Sequence, residues 1–457
     1  ITVEDIELAL KSCKNTAPGP DQINYMLLRK LPHKALQCLS KLFNASLKFG
    51  YVPPRWKTAH VIMLLKPEKN PGLPSSYRPI SLTNTISKLM EKLVVKMYNQ
   101  HIQKTLPNSQ AGFRPGSEIN DQLLKVINPI ETAFRKRFIT TIAALDVQKA
   151  FDTMWHDGLR FKHATNNMPP HFTRWVSHFL TNRSAKVAVH GELSQSFPMK
   201  AGAPQGSAIS PTLYNLFVAD IPQPFHPRVG LAQFADDTCY WATGNHTLNA
   251  YRLLNDQLVR YTNWTNKWRI TINPDKTQAM LIRPTGRTID PQKYRVQLHN
   301  KPVQYQPTMK YLGLTISNKI SLLPHLRATL KKTKLPLQTI RFLSQKNTKC
   351  PAKVRIHLYK CLIRPLFTYA TPLLINYNQS QLEKLCLEER RILKTCLKLP
   401  KTTPNILVYA LAGLKPLPEY LNLTNKKYIT RALNKPTLPD MLHNPHPDTI
   451  LHKLSLL

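Results

Sequence analysis

Val3, Ile6 and Leu10 recur at helical spacing behind Thr2, with Asp5 placed to close a capping box, so the chain opens on a predicted helix over Thr2–Leu10. A rigid Pro18-Gly19-Pro20 turn follows. Apolar-periodic segments then cover Ile23–Leu31 and Lys34–Phe49, the second stopped by Gly50, Pro53 and Pro54. The period changes at Ala59–Leu65, a continuous apolar run that reads as a buried strand delivering Lys66 to a loop. Tyr77–Leu82 follows, and Ser87–Ile102 returns to helical spacing. Thr140–Leu145 is β-prone and ends in Asp146. His171–Leu180 reads as a helix, and Ala185–His190 as a strand ending at Gly191. Pro211–Ala219 reads as an apolar helix behind the tight turn Ala203-Pro204-Gln205-Gly206-Ser207.

In Leu231–Trp241, β-prone residues flank Asp236-Asp237 on both sides, which predicts two short strands meeting at a turn that carries both acids. Helical spacing resumes over Thr247–Trp268. Lys276 then stands in a turn before a β-prone run that ends at Ile282. Leu382–Leu397 is an amphipathic helix whose acids favour packing over binding, Asn405–Ala412 is a further apolar helix, and the proline-rich Pro436–Pro447 reads as loop. Helices and strands mixed in this way define an α+β chain.

A length of 457 residues allows two to four domains, and a hydrophobic content of 42% is that of a globular protein. Charge changes the picture more. Lys and Arg number 64 against 25 Asp and Glu, a formal net charge of +39, and an excess that large calls for a polyanionic partner bound in a salt-dependent way. An anionic membrane surface is the other polyanion, but no long apolar run or concentrated basic amphipathic helix supports it. Between Pro291 and Leu382 there are sixteen Lys or Arg and no Asp or Glu, so this stretch cannot pair its own charges. It reads as a helical surface that tracks phosphates without reading sequence. The seven cysteines are scattered without a CxxC pair or zinc-finger spacing, as expected of reduced thiols in an intracellular protein. The sequence starts at Ile1 with no leader pattern, as expected of a piece of a longer product.

Two adjacent carboxylates repel unless cations lie between them or water solvates them, and hard oxygen ligands suit Mg²⁺. By itself Asp236-Asp237 is an ordinary solvated turn. Asp146 alters that reading: if its strand neighbours the hairpin, Asp146, Asp236 and Asp237 converge into a three-carboxylate cluster. Such a cluster suits two metal ions, one activating an attacking hydroxyl and one neutralising a leaving pyrophosphate. Gly206 permits close backbone approach, and Gln205 can hydrogen-bond neighbouring bases or backbone. On the residues alone, Lys66 and Arg78 also fit solvated surface charges, Phe151 a core side chain and Lys276 a turn lysine.

The blocks Ala144–Leu159 (ALDVQKAFDTMWHDGL) and Ala201–Pro222 (AGAPQGSAISPTLYNLFVADIP), with Phe234–Thr238 (FADDT), together resemble the catalytic core of a reverse transcriptase. The resemblance is to the non-LTR retrotransposon type of insect jockey-like elements, by ordered motifs over residues 10 to 320. It implies an α+β right-hand polymerase with fingers, a palm built on an antiparallel sheet, and a helical thumb. The implied divisions are an N-terminal extension over 1–58, fingers over 59–140, a palm over 141–316 with a fingers return at 162–200, a basic thumb over 317–400 and a tail over 401–457. RNA-directed DNA polymerase activity is implied, copying an RNA template into DNA from a DNA primer with dNTPs by target-primed synthesis, in the nucleus at the insertion site and, with element RNA, in the cytoplasm.

The resemblance also implies residue roles. Asp146, Asp236, Asp237 and the Val147 carbonyl would hold two Mg²⁺ ions, with Mn²⁺ an alternative, and Lys276 would protonate or neutralise departing pyrophosphate. Lys66 and Arg78 would grip the triphosphate, and Arg114 would contact nucleotide or nucleic acid. Phe151 would close over the sugar C2′ so that ribonucleotides clash, and Gln205 and Gly206 would position template and nucleotide. Met309–Ile316 resembles a primer-grip hairpin. Ser117-Glu118, Ala203 and Ser317 depart from the family's common residues. An inactive, RNA-binding copy is therefore the alternative to a polymerase.

Overall fold

The computed structural model describes the chain except for residues 68, 285–293, 346, 436–444 and 448. Most of the Pro436–Pro447 segment accordingly lies outside the described residues. The chain divides into two compact units. The first comprises Ile1–Phe113, Val147–Gln223 and Tyr261–Asn273; the second comprises Arg114–Asp146, Pro224–Arg260 and Pro274–Leu457. In chain order the strands are β1 (Thr58–Leu65), β2 (Tyr77–Leu82), β3 (Ile139–Leu145), β4 (Arg183–Val189), β5 (Glu192–Leu193) and β6 (Phe197–Met199). They continue as β7 (Val229–Phe234), β8 (Asp237–Gly244), β9 (Gln278–Ile282), β10 (Val296–Leu298), β11 (Lys301–Val303), β12 (Thr308–Tyr311) and β13 (Leu314–Ser317). Helices and sheets are mixed in both units, as the α+β reading requires.

The first unit holds the sheet β2-β1-β4-β5, with β6 paired to β4. β1 runs antiparallel to β2 and parallel to β4. The unit's helices start with Val3–Ser12, which packs on Tyr25–Arg29, His33–Phe49 and Thr85–Ile102 and whose Thr2–Asp5 capping box forms as the sequence predicts. The expected helix Ile23–Leu31 is shorter, Tyr25–Arg29, because Asn24 caps it and Pro32 disfavours helical geometry at the residue before it. His33–Phe49 ends at Gly50, which takes φ +62° beside the Cβ of Arg174. Trp175 stacks on Phe179 at 5.4 Å and donates its indole N–H to Ser46, which fixes helix Pro170–Leu180 against His33–Phe49.

The second unit is built on the antiparallel sheet β7-β8-β3-β9. Helix Ile119–Arg135, absent from the sequence expectations, lies against it. Leu123, Leu124, Ile127 and Ile130 pack there with Ile142, Trp241 and Met280. Residues from the far end of the chain join the same core: Tyr428 and Ala432 from helix Leu417–Leu433, and Ile450, Leu451 and Leu454 from Ile450–Ser455. A second core gathers the helices Leu323–Lys332, Lys334–Leu343, Ala352–Leu362 and Gln379–Leu397 around Ile340, Tyr359, Ile392 and Leu393. At its centre the fully buried Glu389 accepts from the Tyr359 and Tyr409 hydroxyls and the Leu417 N–H. No described helix is long and apolar enough to cross a membrane.

Candidate active site

β3 is buried at almost every residue and lies between β8 and β9, so both of its edges are paired and its end is held in place. Leu145 stands opposite Thr238, and Phe234 opposite Asp237 across the hairpin. That register carries Asp146, the residue after β3, to the start of β8. Asp146 and Asp237 accordingly line one cavity of about 100 Å³ with Thr238, Lys276, Gln278 and the Lys310-Tyr311-Leu312 segment. The turn itself is tight: Ala235 is buried and takes φ +58°, a conformation that L residues avoid and that clusters at functional sites.

The electrostatics follow from this geometry. The Asp237 carboxyl is pushed up to about 6, first by the protein packed around it and then by the Asp236 and Asp146 carboxylates, although the residue keeps surface open to solvent. Lys276 Nζ lies 3.5 Å from Asp146 Oδ2, and both side chains are reachable from solvent. The sequence-predicted Asp146, Asp236, Asp237 and Lys276 are thus gathered in one unit. Among the described residues no group of three or more His, Cys, Asp or Glu side chains forms a ready-made metal cage. The donor set is nevertheless of the chemistry a hard cation takes: three carboxylates, one of which, Asp237, has its proton affinity raised by burial and then by the other two.

The remaining candidates divide between the two units. Lys66, Arg78, Val147, Phe151, Gln205 and Gly206 belong to the first unit, and Arg114 to the second. Val147 forms an isolated bridge with Ile272. Arg78 is exposed on β2, and Lys66 donates to the Ser75 carbonyl at 2.9 Å. Phe151 is set between the rings of Tyr214, 5.2 Å away, and Phe113, 6.0 Å away. Arg114 is near enough to Lys125 to help lower that lysine's pKa, after the larger effect of burial.

Sequence reasoning missed the residues that hold the Gln205-Gly206 turn. Gln205 donates its side-chain amide to Asp152 at 2.9 Å, and its carbonyl accepts from the Ser81 N–H at 2.7 Å. Gly206 takes φ +111° where a Cβ would stand 3.0 Å from the Ser81 carbonyl oxygen, so a side chain here is doubly disfavoured. Behind the turn the fully buried Glu91 accepts from the Ser207 hydroxyl at 2.5 Å and the Ala208 N–H at 2.8 Å. An acid in an apolar helix was the available signal. The Ser117-Glu118 departure also acquires a use: Glu118 caps helix Ile119–Arg135 in a box with Asp121 and pairs with Arg431 at 3.0 Å. Asp121 in turn accepts from the Tyr428 hydroxyl and from Lys435.

Residues 66–316, more than half of the chain, match the family model described as reverse transcriptase (RNA-dependent DNA polymerase). The probable RNA-directed DNA polymerase from transposon BS of Drosophila melanogaster is 32% identical over 397 residues, covering 83% of this chain and 43% of that protein. The RNA-directed DNA polymerase from mobile element jockey of the same species is 30% identical over 474 residues, covering 99% of this chain and 49% of its own. The chain therefore spans about half the length of these relatives. Among solved structures, apo telomerase from Candida Tropicalis is similar over 93% of this chain and 74% of its own, at 11% identity and a TM-score of 0.41.

Proposed function

Because this chain belongs to the reverse transcriptase family, whose members generally use divalent metal ions, we propose that it copies RNA into DNA as the polymerase portion of a non-LTR retrotransposon protein. The observation that carries the reading is the coupled group of Asp146, Asp236 and Asp237 at one end of the second unit's sheet. The primer 3′-hydroxyl oxygen forms a bond to the α-phosphate of a dNTP as the bond to pyrophosphate breaks. Two Mg²⁺ ions, or Mn²⁺ in their place, would supply the positive charge that this displacement needs. Asp146, Asp236, Asp237 and the Val147 carbonyl are the groups to hold them.

Each remaining candidate then has a task. Lys276 neutralises or protonates the departing pyrophosphate. Lys66 and Arg78 grip the triphosphate, Arg114 contacts nucleotide or nucleic acid, Phe151 rejects a 2′-hydroxyl, and Gln205-Gly206 positions template and nucleotide. The template is RNA and the primer DNA. Residues 1–58 serve as N-terminal extension, 59–140 as fingers, 141–316 as palm with the return at 162–200, 317–400 as thumb and 401–457 as tail. In the thumb, Arg327, Lys331, Lys332, Lys334, Lys353 and Lys360 are exposed and suit a phosphate backbone. Arg355 and Arg364 are instead buried, bonded to the Cys396 and Lys415 carbonyls. Copying is target-primed, which locates the reaction in the nucleus.

Primer extension on an RNA template with dNTPs and Mg²⁺ tests the proposal. The wild-type chain should extend, and Asp236→Asn should abolish extension while template binding stays nearly unchanged. Extension by Asp236→Asn would remove the assignment.

A further inference from the structure

We propose that Tyr369 is a positioning residue for the primer terminus, acting through the Leu312-Gly313 turn; the inference rests on the polymerase reading above. The turn joins β12 to β13, whose pairing ends at Tyr311↔Leu314 and leaves two residues at the tip. Both have positive φ, +44° at Leu312 and +79° at Gly313. Hairpin tips of this kind favour a short polar residue before the glycine, and leucine offers the backbone no such help. The conformation must be held from outside the hairpin.

Tyr369 does this in two ways. Its hydroxyl donates to the Leu312 carbonyl. Its ring also lies against Gly313, where an added Cβ would stand 2.9 Å from the hydroxyl oxygen and 3.1 Å from Cζ. The tyrosine has a firm base, since Ala370 and Leu373 beside it are buried in the core of the second unit's sheet and Tyr369 itself packs against that core.

The turn matters because Lys310, Tyr311 and Leu312 wall the cavity that Asp146 and Asp237 also line. β12 is tied to the sheet by the Lys310 N–H donating to Gln278 Oε1 at 2.9 Å. The Tyr311 hydroxyl adds a longer bond to the Ala232 carbonyl at 3.5 Å. Those contacts fix the strand, while Tyr369 fixes its tip. A 3′-hydroxyl that reaches the carboxylates passes along this wall, so a displaced tip displaces the attacking oxygen, and in-line displacement tolerates little misplacement.

The test compares wild type with Tyr369→Phe, which removes the hydroxyl and keeps the ring. Two readouts are taken: single-turnover primer extension, and amide hydrogen exchange of the Met309–Ile316 segment. The variant should extend about tenfold more slowly at saturating primer–template. Its half-saturating dNTP concentration and template–primer affinity should stay unchanged. Exchange at the hairpin tip should quicken, while β8 exchanges as in wild type. Unchanged exchange at the tip overturns the inference, as does an unchanged extension rate. A loss of dNTP affinity or faster exchange throughout the sheet also overturns it, since either would mark a general structural role. If the wild-type chain extends nothing, the polymerase reading falls, and the exchange measurement alone decides whether Tyr369 holds the tip.

Discussion

The sheets of the two units are built from strands of similar length, yet they treat their ends in opposite ways. In the first unit β1 alternates between half-buried and buried positions and then runs out into solvent, with Leu64 53% and Leu65 45% exposed just before Lys66. In the second, β3 stays buried up to Leu145, the residue before Asp146. The difference separates two demands. Carboxylates that converge on one point need fixed spacing, which a buried, helix-backed strand supplies. The end of β1 keeps its pairing with β2 while its side chains face solvent, which suits the phosphate-gripping role proposed for Lys66 and Arg78.

The comparison can be broken most severely from the far end of the chain. Ending the chain at Lys415 would strip Tyr428, Ala432, Ile450, Leu451 and Leu454 from the core beneath the acids' sheet. It would also remove the Tyr428 hydroxyl and Lys435 ammonium that donate to the buried Asp121, and the Ile450 N–H that donates to the buried Glu131. With each of the four large buried side chains contributing about 2–5 kcal/mol, the loss is of the same order as the roughly 5–15 kcal/mol that holds a domain together. Limited proteolysis should show the second unit degraded.

A smaller perturbation sharpens the contrast. Ile142→Ala, at a residue with 0% exposure in β3, should lower the urea-denaturation free energy by about 2–5 kcal/mol. Leu64→Ala at the exposed end of β1 should change it by less than about 0.5 kcal/mol.

Acid should act on both units alike. His163 in the first unit is pushed down to about 4 by burial, and His325 in the second to about 4 by burial and then by Lys332. Each ring stays neutral in the folded chain and takes a proton first in the unfolded one. Their contribution is therefore complete above about pH 6.5 and is lost as pH falls toward 4. Unfolding followed across that window should show a loss on the order of 3 kcal/mol for the better-buried His163, reduced in His163→Gln. The smallest effect on stability belongs to Arg78→Ala, under about 0.5 kcal/mol, with a raised KM for dNTP as its signature.

The carboxylate hairpin was legible because its information is local. β-prone residues surround Asp236-Asp237, and a second β-prone run ends in Asp146, so periodicity alone placed the acids at strand ends. Helix Ile119–Arg135 was not legible, since it carries Pro129 in its interior and is capped by Glu118, a residue outside the usual N-cap set. Its apolar stripe becomes meaningful only against the sheet it backs. Glu91, Asp152 and Tyr369 escaped for a related reason: each acts through a turn far from it in sequence, and no local pattern marks a side chain whose partner is elsewhere. The Glu118 departure shows the same limit from the other side, because its compensation is Arg431.

The bond from Tyr428 to Asp121 spans 307 residues. At ribosomal rates of about 5–20 residues per second, roughly 15 to 60 s pass between the synthesis of those two side chains. Throughout that interval the apolar floor under β3, β7 and β8 lacks its last layer, and the nascent polypeptide must be shielded from clumping. Cells with ample chaperone capacity should therefore yield more correctly assembled protein than starved ones, and slowing translation should deepen the dependence.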